Sequence, residues 1–123
     1  MNIGQIEKNL NQLIKSVDSE TFIYDLLRAF NLPKASITRL QKGNLNLSKV
    51  DGEISWKKKL SFNQVFDGNL HSQITDIHQN IKHDQRFLIV TDYKILLAID
   101  TKTAETLDIN ITDLPKHYDF FCA

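Results

Sequence analysis

Cysteine is almost absent from this chain of 123 residues: one, Cys122, so no internal disulfide can staple the fold, which suits a reducing cytoplasm. Glycine is also scarce, with four residues scattered as Gly4, Gly43, Gly52 and Gly68, which leaves no glycine-rich loop to cradle a phosphate. The two prolines and the lack of any biased tract argue against a linker or low-complexity protein. Charge of one sign is missing as well. Lys+Arg and Asp+Glu balance at 15 each, so no global field draws the chain to nucleic acid or membrane, and any such contact needs a local patch. No apolar run approaches the roughly 20 residues of a membrane span, and the first five residues lack the pattern of a signal peptide. The expectation is a cytoplasmic domain with no membrane partner.

The apolar residues that are present change period partway along. Ile3, Ile6, Leu10, Leu13, Ile14 and Val17 recur at steps of three and four, as one helical stripe does. Asp18 or Ser19 is the N-cap expected for a second helix carrying Phe22, Ile23, Leu26, Leu27 and Phe30, stopped by Asn31-Leu32-Pro33. Pro33 suits the first turn of a third helix that buries Ile37 and Leu40 and stops at Gly43. After a polar boundary at 44–52 the period becomes two. Ile54, Trp56, Leu60 and Phe62 read as one strand, with Lys58 the single residue out of pattern. Asp67-Gly68-Asn69 starts an amphipathic helix with Leu70, Ile74, Ile77 and Ile81. Phe87–Thr91 and Ile95–Ile99 read as central strands, Leu107, Ile109 and Ile111 as a more exposed one, and Thr112 or Asp113 as the cap of a final helix containing Pro115. The fold class expected is α/β (α+β) in one domain: a helical part over 1–43, then β-α-β-β-β-α over 44–123. A small mixed sheet forms there, with a crossover helix joining a parallel pair.

Four blocks carry a resemblance: 22–30, 53–59, Arg86 to Thr103 and Leu107 to Phe121. Together they resemble the N-terminal segment of large SAM-dependent DNA methyltransferases from bacterial restriction–modification systems (type IIG-like). The resemblance implies the front module of a longer enzyme, with duplex DNA and the remainder of the methyltransferase chain as partners and SAM as the parent's cofactor. The chain has no glycine-rich SAM motif and no Asn-Pro-Pro-Tyr motif, so no cofactor is expected in this fragment. Its end at Ala123 reads as an excised domain, a truncated gene or a free-standing remnant.

The element order is also similar to the restriction-endonuclease-like core of PD-(D/E)xK nucleases. There two carboxylates hold a hard divalent cation and a Lys on the same strand face stabilises the attacking hydroxide. No acid-x-Lys occurs at the expected positions here. Asp51, Glu53 and Asp67 are the candidate catalytic acids, with Lys57 or Lys59 beside them, and a divalent metal is expected only if that site is active. The competing reading makes the three acids solvated turn and strand residues. Lys57-Lys58-Lys59 is the one basic run. With Lys42 and Lys49 it is the candidate contact to DNA phosphates, or alternatively an edge-strand guard against aggregation. Trp56 fits the core by its alternation, or a stacked base. His71 and His78 lie two helical turns apart, roughly 10 Å, too far to share one ion. Cys122 has no neighbouring base. Two functions remain open: a nuclease-like or DNA-contacting module, and a non-catalytic docking module presenting Tyr118, Phe120 and Phe121.

Overall fold

The apolar stripes fold as their spacing requires. In the structure, a computed structural model describing residues 2–122, α1 spans Ile3–Leu13, α2 Phe22–Ala29 and α3 Lys34–Gln41. Asn2 caps α1 by accepting the Gln5 N–H at 3.1 Å. The start of α2 departs from the expectation. Its N-cap is Thr21, while the Asp18 carboxylate closes a preceding turn by accepting the Glu20 N–H at 2.9 Å, so neither Asp18 nor Ser19 caps the helix. Pro33 likewise sits at the N-cap of α3 and not in its first turn. Both helices end in paired reverse hydrogen bonds around a left-handed residue. Leu32 N–H reaches Leu27 O and Asn31 N–H reaches Arg28 O, with Asn31 at φ 59°. Gly43, at φ 87°, does the same for α3, its N–H on Leu40 O and that of Asn44 on Arg39 O.

The stretch read as one strand is a hairpin. β1 is Ile54–Trp56 and β2 is Leu60–Gln64, antiparallel with Trp56 opposite Leu60. Lys57–Lys59 form the turn between them, closed by Lys59 N–H on Trp56 O at 3.0 Å, with Lys58 at φ 66°. Lys58 broke the alternation because it belongs to no strand. Helix α4, Leu70–Gln79, then carries the chain over the sheet to β3, Phe87–Thr91, which pairs parallel to β2. It is capped by Asn69 and ends before Ile81, which is exposed and not on its apolar face. β4 (Ile95–Asp100) and β5 (Thr106–Asn110) continue antiparallel, giving the order β1-β2-β3-β4-β5. The outer side of β1 is covered, because the preceding segment folds back to place Leu47 N–H on Ser55 O and the Asn46 side chain on Ser55 N–H. A 3₁₀ helix, Ile111–Phe121, kinked at His117 (φ −122°), leads to Cys122, the last described residue. Its N-cap is Asn110, ahead of the expected caps Thr112 and Asp113, and it takes in Ile111, which therefore belongs to no strand.

Alternation divides the sheet between two layers. Phe62, Ile89, Leu96 and Ala98 face α1–α3 and the 3₁₀ helix, meeting Ile6, Leu10, Phe22, Leu26 and Leu114 in the larger core. Leu88, Val90 and Leu97 face the other way onto Ile74 of α4. The result is a mixed α/β fold with helices on both sides of a five-stranded sheet.

One ion pair fastens the start of β3 to the end of β4. Asp100, 3% exposed, accepts from Arg86 Nη2 at 2.9 Å and Nε at 3.3 Å, and from the backbone N–H of Lys102 at 3.0 Å. The Arg86 guanidinium holds the Asp100 carboxyl below the usual carboxylate range against the opposing effect of burial. A carboxylate depressed in the folded state contributes stability above its unfolded pKa, roughly 4, and loses it as pH falls through the folded value. Asp100→Ala, which takes the carboxylate out of a mostly buried ion pair and away from the Lys102 N–H, is expected to lower stability by about 3 kcal/mol at neutral pH. Asp100→Asn is expected to flatten the acid limb below pH ~4, and urea unfolding across pH checks both.

Candidate nucleic-acid interface

Parallel pairing puts the beginnings of β2 and β3 side by side, so the β1–β2 turn and the α4–β3 loop meet at one end of the sheet. They are tied by Lys58 N–H on His83 O at 2.9 Å and Phe87 N–H on Lys59 O at 3.0 Å. Gln85, 4% exposed, anchors the loop through its Nε2 on Ser55 Oγ at 2.8 Å. The β4–β5 turn joins through Thr101, whose N–H reaches Arg86 O at 2.8 Å and whose hydroxyl donates to Gln85 O at 2.8 Å. Exposed Lys57, Lys58, Lys59, Lys82 and Lys102 thus stand on three adjoining turns, and none forms an ion pair among the described residues. Asp84 and Glu105 are the exposed acids on the same turns. Four residues there hold left-handed backbone: Lys58 at 66°, His83 at 67°, Asp84 at 52° and Ala104 at 66°.

Lys42 and Lys49 do not share this end. Lys49 lines a cleft of about 350 Å³ at the opposite end, beside Gly52 and Gln64, and Lys42 comes after α3 between Gln41 and Gly43 of the same cleft. The basic group expected from the sequence therefore divides in two. Lys58, Lys82 and Lys102 complete the half around Lys57 and Lys59. Composition gave no sign of Lys82 and Lys102; the topology did, since parallel β3 must start beside the start of β2 and antiparallel β4 ends there.

Asp51 and Glu53 also line the far cleft, with Ser19, Tyr24 and Gln64. The Glu53 Oε1 accepts from Asn63 Nδ2 at 2.6 Å, on the neighbouring strand. Asn46 fixes the loop from both sides, donating to Glu53 O at 2.8 Å and accepting from Ser48 N–H at 3.0 Å. A Cβ at Gly52, at φ 84°, would collide with the Gln64 amide that donates to its carbonyl. Asp67 lies apart, exposed in the turn before α4. Among the described residues no three His, Cys, Asp or Glu side chains are grouped to hold a metal ion.

Other candidates fall into place around these. Trp56 is 9% exposed and part of the larger core. His71 leaves His78 and pairs with Asp108 across to β5 at 2.9 Å, both exposed. Burial, then Asp119, pushes the Cys122 thiol up, away from the thiolate that a nucleophile needs. Phe121 packs on Phe87 at 5.2 Å and on Phe30 at 5.7 Å, and Phe120 on Phe87 at 6.0 Å, so the aromatic segment covers this chain's own core.

Tyr93, in the β3–β4 turn, locks the far end. Its hydroxyl lies 2.7 Å from Gln64 Oε1 and 3.0 Å from Ser19 O, and burial, helped by Asp18, pushes its pKa up to about 12. A tyrosine raised in the folded state gives stability that is whole below its unfolded pKa of about 10 and is lost as pH rises through the folded value. The free energy of unfolding, measured from pH 8 upward, is therefore expected to fall between about pH 10 and 12. Tyr93→Phe should reduce that dependence, leaving the part due to Tyr24, which burial also raises, and cost about 1 kcal/mol at neutral pH.

Known proteins share this chain's sequence over its whole length. The model of the family described as "MmeI, N-terminal domain" matches residues 1–123. DNA methyltransferase A of Bacillus subtilis (strain 168) is 40% identical over 126 residues, covering 100% of this chain and 14% of that protein. The chain thus spans a small part of the curated relative it matches. No solved structure matches it.

Proposed function

Since the chain belongs to the MmeI N-terminal domain family, we propose that it is the front, DNA-contacting module of a SAM-dependent DNA methyltransferase of the restriction–modification kind, and does not itself carry out methyl transfer. The observation that carries this reading is the convergence of Lys57, Lys58, Lys59, Lys82 and Lys102 on three tied turns. Such a cluster, free of ion pairs among the described residues, attracts phosphates by releasing condensed counterions and positions a protein on duplex DNA without reading sequence. The methyltransferase named in the comparison lends the polymer: a DNA-modifying parent benefits from a non-specific grip in front of its catalytic part.

Neither implied cofactor fits the residues of this chain. SAM needs a close backbone approach that a glycine-rich turn allows, whereas Gly43 ends a helix, Gly52 and Gly68 sit in separate turns and Gly4 lies within α1. A hard divalent cation needs converging carboxylates, whereas Glu53 is engaged by the carboxamide of Asn63 and Asp67 stands elsewhere. The nuclease-like part of the reading is accordingly a scaffold without an assembled catalytic site, with Asp51 and Glu53 shaping a loop. Docking through Tyr118, Phe120 and Phe121 is the weaker reading, because those rings are partly buried against this chain's own core.

Fluorescence polarisation with a labelled short duplex tests the proposal. Affinity is expected to fall steeply with salt. Lys57→Ala combined with Lys59→Ala should weaken binding about tenfold and reduce the slope of log K against log salt by about two. Lys42→Ala combined with Lys49→Ala should have a smaller effect. Absence of binding at low salt, or an equal loss from both pairs, would sink the assignment to this end of the sheet.

A further inference from the structure

Between α2 and the sheet, next to the basic end, runs a groove of about 220 Å³. Trp56, Leu60 and Ile89 line it from the sheet, Leu27 from α2 and Phe30 from the C-cap of that helix, while Phe121 adds a wall. Lys58 and Lys59 stand among its lining residues, and no acidic residue does. Arg86 is present too, but it is engaged with Asp100 and lies 4.8 Å over the Phe87 ring. The lining therefore offers apolar surface and two uncommitted ammonium groups. We propose that this groove is a docking site for an acidic peptide segment, which inserts one large apolar side chain beside Trp56 and sets its flanking carboxylates on Lys58 and Lys59.

Charge and size select that occupant. A nucleobase would bring donors and acceptors on every edge, and the Trp56 indole N–H is the one neutral polar side-chain group among the groove's lining residues, so most of them would be buried unpaired. A long acyl chain needs more length than about 220 Å³ provides, whereas one anchor residue fills such a space as interface anchors do. Carboxylates match Lys58 and Lys59 and steer the approach. Since this chain covers 14% of the matched methyltransferase, such a protein has ample sequence outside the module to supply the segment at high effective concentration. The inference does not depend on DNA binding, but Lys58 and Lys59 serve both, so an occupied groove should oppose DNA.

The chain has a single tryptophan, Trp56, which reports occupancy directly. The probe is an acetylated, amidated peptide, Asp-Glu-Phe-Leu-Asp-Glu, titrated against Trp56 fluorescence. A saturable change is expected, at least tenfold weaker when the Phe-Leu pair is replaced by Ser-Ser, when the acids are replaced by Lys, and in the Lys58→Glu, Lys59→Glu chain. Both substitutions are on an exposed turn, and circular dichroism verifies that the fold is kept. Leu32→Phe, which narrows the groove with the charges intact, should also weaken the peptide while leaving DNA affinity unchanged. Adding the peptide should raise the apparent Kd for duplex DNA. No saturable change, equal binding of the Lys-flanked peptide, or tighter binding of a mononucleotide or a fatty carboxylate overturns the proposal and leaves the DNA result to stand by itself. Self-association abolished by Phe66→Ala would also overturn it, by making a second copy of this chain the occupant through its exposed Phe66 and Asp67.

Discussion

The parallel pairing of β2 with β3, from Leu60 opposite Phe87 to Gln64 opposite Thr91, governs the arrangement of everything else. A parallel pair cannot be closed by a tight turn, so the chain must leave the sheet, and α4 is the return path. That path covers one face and obliges α1–α3 with the 3₁₀ helix to cover the other. It also sorts the loops: segments leading into β2 and β3 gather at one end, and segments leaving them gather at the other. The lysine-bearing turns belong to the first group, and Tyr93 with its bond to Gln64 belongs to the second.

The two covering layers are unequal. Only Ile74 of α4 is buried, whereas α1, α2 and α3 together bury Ile6, Leu10, Phe22, Ile23, Leu26, Leu27, Ile37 and Leu40. Apolar area removed from water scales with such burial, so the helical side contributes most of the cohesion and the α4 side is the thinner cover. The α4–β3 loop is correspondingly held by polar bonds, Gln85 to Ser55 and Thr101 to Gln85 and Arg86, instead of by packing. A loop fixed that way holds Lys82 outward in a defined place beside the β1–β2 turn.

The sequence carried much of this plainly and some of it not at all. Stripes at three and four are produced only by helices, so α1–α3 and α4 were legible, as were the continuous apolar strands β3 and β4 with both faces covered. The hairpin was hidden because Trp56 and Leu60 face inward whether the chain runs straight or folds between them; only Lys58 betrayed the turn. Grouping Lys42 and Lys49 with Lys57 and Lys59 rested on nearness along the chain, which the hairpin reverses in space. The pairing of Glu53 with Asn63 depends on strand register, which no local pattern encodes. The N-caps at Thr21 and Pro33 differ from the expected ones by one to three residues, and neither makes a side-chain cap bond, so no side-chain signal marks the boundary.

Lys58, His83 and Asp84 hold a backbone that glycine adopts freely and that other residues adopt at roughly 1 kcal/mol or more each. Substituting glycine there would stabilise the fold while erasing side chains from the very turns that present them. Thermal robustness and surface chemistry are thus set against each other at the same backbone positions, and an engineer hardening this domain would blunt it.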